Sequence, residues 1–376
     1  AGETIMALIK TNARGQSSNL GRRNILRNGA INVAQRGTTF SQTTGQVYTL
    51  DGFLATVGSS FNMDTTVTQS STVPTGEGFT KSIKVTPDSV VSSSGSDNGG
   101  IAQRLEVQNV NHLGWGTSSA KSLTLSFWVK SSKTGIYCVQ LQQNVVAGGT
   151  AVYSHVKEYT IAVADTWQKV ILTFPGNTTQ SAAGADAGDG LRVNWWLVCG
   201  SNDHTAADSW LQSGSYLATS NQVDFMDNTS NTWYMTGCQL ETGDTATSFE
   251  HRSYGEELTA CQRYCHVLTR EGSSSNQNIG IGYWASTTSA ETFTKFPTSM
   301  RATPSVTALP IGEFYALIPQ QAWNAASGVG LNEAGTDGCK LAWTVASNGS
   351  FGSNGRRSTH VGARGDNAKL IFDSEL

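Results

Sequence analysis

The sequence has 376 residues, of which 14% are charged, and its formal net charge is −3. This length exceeds what one hydrophobic core usually supports, so we expect two or three domains. The low charge argues against capture of nucleic acid or another polyanion as the main activity, and 40 glycines among many hydroxyl and amide side chains favour β-structure with a hydroxyl-rich surface.

Targeting signals and cysteines give further expectations. No apolar run approaches the roughly 18 residues of a membrane span, and the first residues do not match a signal peptide. We expect a soluble protein that is neither exported by the Sec route nor inserted into a membrane. The cysteine spacing matches neither a disulfide framework nor a zinc site, which favours free, buried thiols of a reducing cytoplasm. The six are Cys138, Cys199, Cys238, Cys261, Cys265 and Cys339.

Residues 1–45 contain few large apolar side chains in any sustained period. A segment of this kind cannot build its own core, so it either stays disordered or becomes ordered against another chain. The sequence therefore predicts an extended N-terminal arm that anchors the protein or intertwines its subunits.

Residues 46–252 contain short runs in which apolar and polar side chains alternate, separated by clusters of Gly, Asn and Ser. Alternation of period two indicates strands with one buried face. The region is predicted to form an antiparallel β-sandwich of the jelly-roll type. The runs are SIKVT at 82–86, LTLSFWVK at 123–130, GIYCVQL at 135–141, KVILTF at 169–174, RVNWWLV at 192–198 and WYMTGCQLE at 233–241.

The period becomes helical in EELTACQRYCHVL at 256–268, where Leu258, Cys261, Tyr264, Cys265 and Leu268 recur on one face. Glu256 and Glu257 suit the positive end of a helix. A short amphipathic helix within residues 253–270 is therefore predicted to join two domains.

Residues 271–376 return to short strand-like runs with glycine-rich turns, namely IGIGYWAS, KFPTSMRATPSVTAL, KLAWTVAS and AKLIFDSEL. The expected fold class is thus all-β: a jelly-roll β-sandwich plus a second, smaller C-terminal β-sandwich, joined by a short helix, with an extended N-terminal arm. Gly280 and Gly282 lie between two strand patterns, which excludes a phosphate loop because no helix N-terminus follows.

Several stretches, in this order, resemble a module combination of tail-fibre and other virion appendage proteins of tailed bacteriophages. The central part also resembles the jelly-roll carbohydrate-binding modules attached to glycoside hydrolases. The stretches are NILRNGAINVAQRGTTF at 24–40, YTLDGF at 48–53, LTLSFWVKSSKTGIYCVQL at 123–141, DTWQKVILTFPG at 165–176, QLETGDTATSFEHRSYGEELTACQRY at 239–264, FPTSMRATPSV at 296–306 and AKLIFDSEL at 368–376.

The resemblance implies a non-enzymatic structural protein of the virion, assembled in the host cytoplasm, that displays its β-domains for adhesion to host-surface glycan. It also implies a homotrimer whose arm contacts other virion proteins, with Arg22, Arg23 and Asn24 as candidate attachment residues. A capsid decoration or head-fibre protein without a receptor role is the alternative, and a polysaccharide depolymerase is a less favoured one.

Tryptophans are the candidate sugar-binding residues, because sugars stack on exposed aromatic faces. Trp195 and Trp196 are adjacent in one strand and must point to opposite faces, so at most one should lie in the core; the other would serve a packing contact, a subunit contact or glycan. Trp210, in the polar loop SNDHTAADSWLQSGS, is the preferred single ligand, with loop anchoring as the alternative. Core positions are expected for Trp128, Trp167 and Trp233.

Carboxylates give two further hypotheses. Asp186 and Asp189 lie in the turn GADAGDG, and the resemblance suggests a structural calcium ion; the other EF-hand ligands are missing, so ordinary turn chemistry is favoured and no other cofactor is expected. Glu241 and Asp244 could flank a glycosidic bond, but their place in the strand-to-turn phrase QLETGD favours a structural role. Motifs of serine hydrolases and zinc proteases do not occur.

Overall fold

The computed structural model describes residues 23–42, 45–58, 64–144, 152–180, 187–269, 277–317, 323–346, 358–364 and 368–376. In these stretches the chain is almost entirely β, which confirms the predicted fold class. All six cysteines are free and buried, as predicted. Among the described residues, none of the helices has the length and apolar character that spanning a membrane requires.

The N-terminal two thirds of the described chain form two antiparallel sheets, whose strands are numbered in chain order. The six-stranded sheet has the order β1 (Thr39–Gln42), β4 (Thr65–Ser70), β5 (Ser82–Pro87), β13 (Trp233–Thr242), β7 (Leu123–Ser131) and β10 (Gln168–Phe174). The seven-stranded sheet has the order β12 (Trp210–Gln212), β9 (Val152–Ile161), β8 (Gly135–Asn144), β11 (Asp189–Cys199), β6 (Asn98–Glu106), β3 (Leu54–Val57) and β2 (Gln46–Tyr48).

The sandwich core forms where the inward side chains of both sheets meet. Trp195 of β11 packs against Phe53 and Phe127, with ring centroids 6.3 and 6.0 Å apart. Trp233 of β13 is also fully buried, as predicted. Burial of each such ring contributes about 1.5–3 kcal/mol, so these few aromatic positions fix which face of every strand turns inward.

Residues 23–42 belong to the sandwich, so the prediction of a free arm is wrong for this stretch; residues 1–22 lie outside the described chain. Leu26, Ile31 and Val33 are fully buried. The side-chain amide of Asn28 donates to the carbonyls of Val33 and Asp51, at 2.8 and 2.9 Å. The segment has few apolar residues, but each one enters the core while polar side chains satisfy the irregular backbone.

Helix α1 (Val107–Val110) is a single turn, whereas α2 (Tyr254–Gln262) follows the predicted start signal. The Ser253 hydroxyl accepts from the backbone N–H of Glu256, and the Glu256 carboxylate accepts from that of Ser253, which is a capping box. The helix ends six residues earlier than the predicted period, because Cys265–Thr269 pairs as a strand with the C-terminal segment. Single turns of 3-10 helix occur at Asn111–Leu113, Ser201–Asp203, Phe225–Asp227 and Ile311–Glu313.

The C-terminal domain is all β, and its larger sheet closes into a barrel instead of stacking in two layers. Closure gives every strand two neighbours and leaves no free edge. The barrel order is β15 (Gln277–Trp284), β16 (Ser289–Lys295), β20 (Gly338–Val345), β19 (Trp323–Ala334), β18 (Phe314–Leu317) and β21 (Ser358–Ala363). A three-stranded sheet beside it has the order β14 (Cys265–Thr269), β22 (Lys369–Asp373) and β17 (Ser305–Leu309).

Buried charged residues join the two domains. The Arg27 guanidinium contacts the Glu375 carboxylate at 2.7 Å and lies 3.7 Å above the Tyr264 ring. Glu106 accepts hydrogen bonds from Arg263 at 2.7 Å and from Tyr264 at 2.5 Å. Burial opposes the charged form of Glu106, but these hydrogen bonds outweigh it and lower the pKa of Glu106. The paired charges hold the end of the chain against the sandwich.

Candidate functional site

The outer face of the six-stranded sheet follows from alternation along its central strands. In β7, Phe127 is fully buried between the sheets, so Trp128 and Lys130 point outward. The same alternation places Lys169 of β10 and Tyr234 of β13 on that outer face. Strand pairing sets Trp128 directly opposite Lys169.

Lysine side chains lie over aromatic rings on this face. Tyr234 pairs with Lys130 on one side and with Lys84 of β5 on the other. The Lys130 ammonium lies 4.5 Å from the ring centroid of Tyr234 and 5.9 Å from that of Trp167, and the Lys84 ammonium lies 5.9 Å from Tyr234. The rings of Trp167 and Tyr234 meet edge to face at 6.2 Å. Cation–π attraction thus orders the lysines without neutralising their charge.

We call this surface the lysine–aromatic face, comprising Lys84, Trp128, Lys130, Trp167, Lys169 and Tyr234. Its three rings are partly exposed. Within the described chain none of its three lysines forms an ion pair, whereas Lys133 is paired with Asp227 and Lys157 with Asp208. The face therefore combines accessible ring surface with uncompensated positive charge.

A groove of about 270 Å³ opens at the Trp128 end of the lysine–aromatic face. Its far wall is an aromatic cluster in which Phe79 contacts Phe249 at 5.0 Å and His251 at 5.4 Å between ring centroids. The volume is slightly below the roughly 300 Å³ of the smaller ligand pockets, so the groove suits one small group such as a single sugar ring. The lining residues are Gly76, Glu77, Phe79, Ser126, Trp128, Lys169, Gly237, Ser248, Phe249 and His251.

Gly237 shapes the floor of the groove. The register of β13 against β7 shifts between Thr236 and Gln239, which marks a bulge, and Gly237 has a φ of 63° there. A Cβ atom on Gly237 would lie 2.5 Å from the Phe79 ring. Only glycine lets the ring lie directly on the strand in this left-handed conformation.

Trp195 and Trp196 do point to opposite faces, and the outward ring, Trp196, makes a packing contact, which was one of the alternatives, instead of facing solvent. Trp195 is fully buried in the sandwich core, and Trp196 is only 4% exposed. Residues of the long connection after β11 cover the outer face of the seven-stranded sheet, so Trp196 packs with Cys138, Leu217 and Ala218 in a second small core. Neither ring is accessible to a glycan.

Trp210 lies at the edge of the sandwich and anchors its loop. Its indole N–H donates to the carbonyl of Pro175 at 2.8 Å. Its ring contacts Trp115 and His155 edge to face, at 5.2 and 5.3 Å. The ring is partly buried against the core, which corresponds to the loop-anchoring alternative.

Trp128 and Trp167 are more exposed than the sequence predicted. Both were expected in the core, but both are partly exposed on the outer face. The alternation of β7 carried the signal, because Trp128 is out of phase with the apolar positions Leu125, Phe127 and Val129.

Of the two aspartates considered as calcium ligands, the structure describes only Asp189, and arginines surround its carboxylate. Asp186 lies outside the described residues. Asp189 accepts a hydrogen bond from Arg192 at 2.5 Å and lies 3.8 Å from Arg104. Burial raises the pKa of Asp189, and the two guanidinium groups disfavour a cation beside it. Among the described residues no cluster of three or more His, Cys, Asp or Glu could hold a metal ion.

The proposed attachment residues bind their own chain. Asn24 is buried; its side chain donates to the Cys238 carbonyl at 2.9 Å and accepts from the Leu240 N–H at 3.0 Å. Arg23 donates to the Thr247 hydroxyl at 3.0 Å. Asn24 therefore cannot present its side chain to a partner protein, and Arg22 lies outside the described residues.

The two carboxylates considered for glycoside hydrolysis do not form a pair of free acids. Glu241 is only 4% exposed, and its carboxylate accepts from the Thr247 N–H and hydroxyl at 2.8 and 2.7 Å and from Gln239 at 3.0 Å. Asp244 lies exposed in the following turn. Glu241 thus closes a turn, as its sequence context indicated.

A larger cleft of about 890 Å³ lies between α2, the end of β13 and the N-terminal segment. Its arginines are already engaged. Arg252 donates to the Leu26 carbonyl and to Glu250, at 3.3 and 3.1 Å, and Arg263 is bound to Glu106. Because these arginines already have partners within the chain, we take the lysine–aromatic face, whose lysines form no ion pair in the described residues, as the candidate site.

Comparisons with known proteins give similarity only at the level of distant structures. No protein-family model and no curated protein sequence matches the chain. The solved structures that match include a putative sugar-binding protein of Bacteroides thetaiotaomicron, with 12% identity over 58% of this chain and 99% of that one, at a TM-score of 0.30. A family 30 carbohydrate-binding module matches with 12% identity over 63% and 96%, at a TM-score of 0.31.

A third match is the enzymatically active domain of tailspike protein 4 from bacteriophage CBA120, with 12% identity over 58% of this chain and a TM-score of 0.29. This chain covers 21% of the length of that tailspike chain.

Proposed function

We propose that the chain is a non-catalytic glycan-binding protein and that the lysine–aromatic face is its binding surface. The observation that carries the proposal is the presence of three partly exposed rings, Trp128, Trp167 and Tyr234, on the open outer face of one sheet. Sugar rings present apolar C–H faces that stack on such side chains, while their hydroxyls need nearby polar groups.

Polar partners lie beside the rings. Ser126, Ser248 and Glu77 line the groove next to Trp128 and offer hydroxyl and carboxylate oxygens. Thr66 and Thr68 of β4 and Thr86 of β5 continue the outer face with hydroxyl groups. The surface is shallow outside the groove, which suits binding along a polymer more than enclosure of a small molecule.

The binding is proposed to be passive. Glu241 is one of the two carboxylates considered for glycoside hydrolysis. Its carboxylate accepts three hydrogen bonds, from Gln239 and from the N–H and hydroxyl of Thr247 in the following turn. A general acid must be able to donate a proton to the glycosidic oxygen; Glu241 lines the cleft beside α2, but both of its carboxylate oxygens already accept hydrogen bonds from Thr247 of the turn. Release of reducing ends from a bound glycan by the purified protein would contradict this part of the proposal.

We further propose that the protein is a homotrimeric virion appendage that adheres to host-surface glycan. The sequence resemblance supports this proposal, as does an apolar patch on the C-terminal barrel.

Ile281 of β15 and Phe293 of β16 are cross-strand partners and are 75% and 58% exposed. Such a patch is typical of a contact between subunits. Three copies would multiply a weak site by avidity. Light scattering should give the mass of a trimer, and a monomer at micromolar concentration would contradict this arrangement.

The glycan proposal is tested by screening the intact protein on a glycan array and measuring hits by calorimetry. Trp128→Ala should weaken binding at least about tenfold, the loss of one good stacking contact of roughly 1.4 kcal/mol. Tyr254→Ala, which removes an exposed ring of α2, is the matched control and should leave glycan affinity unchanged. Equal affinities for wild type and Trp128→Ala would contradict the assignment.

A further inference from the structure

We infer that the ligand of the lysine–aromatic face is an acidic polysaccharide whose sugars carry carboxylates along the chain. The inference rests on the proposed glycan-binding function and specifies its ligand class. The low overall charge argued against binding any polyanion. The charge on this one face is a local exception, and local charge decides which ligand a surface attracts.

The positive charges are spread across the sheet. Lys84, Lys130 and Lys169 belong to β5, β7 and β10, and the strand order β5-β13-β7-β10 sets the outer two strands three positions apart. With neighbouring strands about 4.8 Å apart, the three lysines span roughly 14 Å. Carboxylates near these lysines in the sequence lie at the margins: Asp88 at the end of β5, which accepts from the Thr66 hydroxyl at 2.8 Å, Glu77 on the rim of the groove and Asp165 in the turn before Trp167.

Rings and cations alternate on the face. Lys130 lies over both Trp167 and Tyr234, and Lys84 lies over Tyr234 from the opposite side. A sugar stacked on Tyr234 would therefore have ammonium groups beside it, within reach of a carboxylate on its ring. Since these lysines form no ion pair in the described chain, a ligand carboxylate would not have to displace a protein carboxylate.

The type and spacing of the cations favour carboxylated sugars over phosphate-bearing ligands. Recognition of phosphate typically uses arginine forks or convergent donors. The face carries three dispersed lysines and no arginine. Binding of nucleic acid would also need a strongly basic domain, whereas the chain has a net charge of −3. Dispersed single charges fit a polymer with at most one carboxylate on each sugar.

The test compares an oligogalacturonate with its methyl ester, which has the same backbone and chain length but no charge. Calorimetry with the intact protein at low ionic strength should give about tenfold tighter binding of the acid form. The preference should shrink in high salt, because exposed charges are screened over about 8 Å at physiological ionic strength. The combined variant K84Q/K130Q/K169Q should bind both forms equally.

Lys157→Gln is the matched control, because Lys157 lies in the same domain but is already paired with Asp208. It should keep the full preference for the acid form. Equal binding of both forms by the wild type, with loss of binding in Trp128→Ala, would overturn the acidic-ligand inference and leave the glycan proposal standing. Failure to bind any glycan on the array would overturn both. Tighter binding of oligothymidylate than of oligogalacturonate would also overturn the inference.

Discussion

The two outer faces of the sandwich carry tryptophans in equivalent settings, yet only one face is open. Trp128 on the six-stranded sheet and Trp196 on the seven-stranded sheet each follow a residue that points into the core. Trp128 remains partly exposed, whereas Trp196 is covered by Leu217 and Ala218. The comparison shows that alternation assigns a ring to an outer face, but a connection distant in sequence decides whether that face can bind a ligand.

The polar groups under the cover support this distinction. Gln140 of β8 accepts hydrogen bonds from Asn194 at 2.9 Å and from the Trp196 indole at 3.3 Å, and it donates to Ser154 at 2.8 Å. On the open face, Lys84 and Lys130 lie over aromatic rings and form no ion pair within the described residues. The polar groups of the covered face are thus hydrogen-bonded within the protein, whereas the lysines and rings of the open face can still contact a ligand.

The largest expected effect comes from truncating the covered ring. Trp196→Ala should lower the free energy of unfolding by about 3–5 kcal/mol, because it leaves a cavity that Leu217 and Ala218 can fill only in part. Trp128→Ala should cost roughly 1 kcal/mol or less, since its ring is already partly hydrated. Urea unfolding of both variants measures the difference. Equal losses would mean that the two faces are not distinct.

Gly237→Ala should close the groove on the open face. The left-handed backbone costs an alanine about 1–2 kcal/mol, and its Cβ must displace the Phe79 ring, so both stability and glycan affinity should fall. Gly255→Ala in α2 is the control, because a Cβ there meets no atom within 4 Å. Unchanged affinity in Gly237→Ala would exclude the groove from the binding surface.

A pH dependence should come from His155, at the edge of the covered sheet. Burial, assisted by Lys157, lowers the pKa of His155 from 6.5 to about 4. The unfolded chain therefore binds a proton that the folded chain does not, so this contribution to stability is complete above pH 6.5 and declines as the pH falls towards 4. Thermal unfolding across this range should show a flatter profile for His155→Phe than for wild type. A profile as steep for His155→Phe as for wild type would refute the assignment.

The smallest effect is expected for Trp210→Phe. It removes one hydrogen bond to the Pro175 carbonyl and should cost about 0.5–1.5 kcal/mol. Because Trp210 anchors a loop away from the lysine–aromatic face, calorimetry should find its glycan affinity equal to that of wild type. A loss of affinity would restore Trp210 as a ligand-binding residue.

The sequence predicted the strands and the start of α2 because both depend on local patterns: period-two alternation for the strands, and Glu256 and Glu257 in the first turn of the helix. It did not predict that Trp196 would be covered, because Leu217 and Ala218 lie about twenty residues further along the chain. It also misjudged the N-terminal segment, where Asn24 and Ile25 donate to the carbonyls of Cys238 and Leu240, more than 200 residues further along the chain. Long-range packing of this kind leaves no periodic signal in the local sequence.

The exposure of the tryptophans also depends on packing that their neighbours in the sequence do not show. Trp210 was favoured because its neighbours are polar, but its own ring packs on Trp115 and His155. Trp128 and Trp167 were assigned to the core because they lie in strand-like patterns within the stretches that carry the family resemblance, although the phase of the apolar positions in β7 marks Trp128 as outward. The phase of a strand was thus more informative about exposure than the composition around the residue.

Hydroxyl-radical footprinting of the intact protein, with and without oligogalacturonate, tests the open face most directly. Radicals oxidise accessible aromatic side chains, so a bound glycan should protect Trp128, Trp167 and Tyr234 and leave the oxidation of the exposed Tyr254 unchanged. Protection confined to the barrel, or to the cleft beside α2, with full oxidation of all three sandwich rings, would contradict the account.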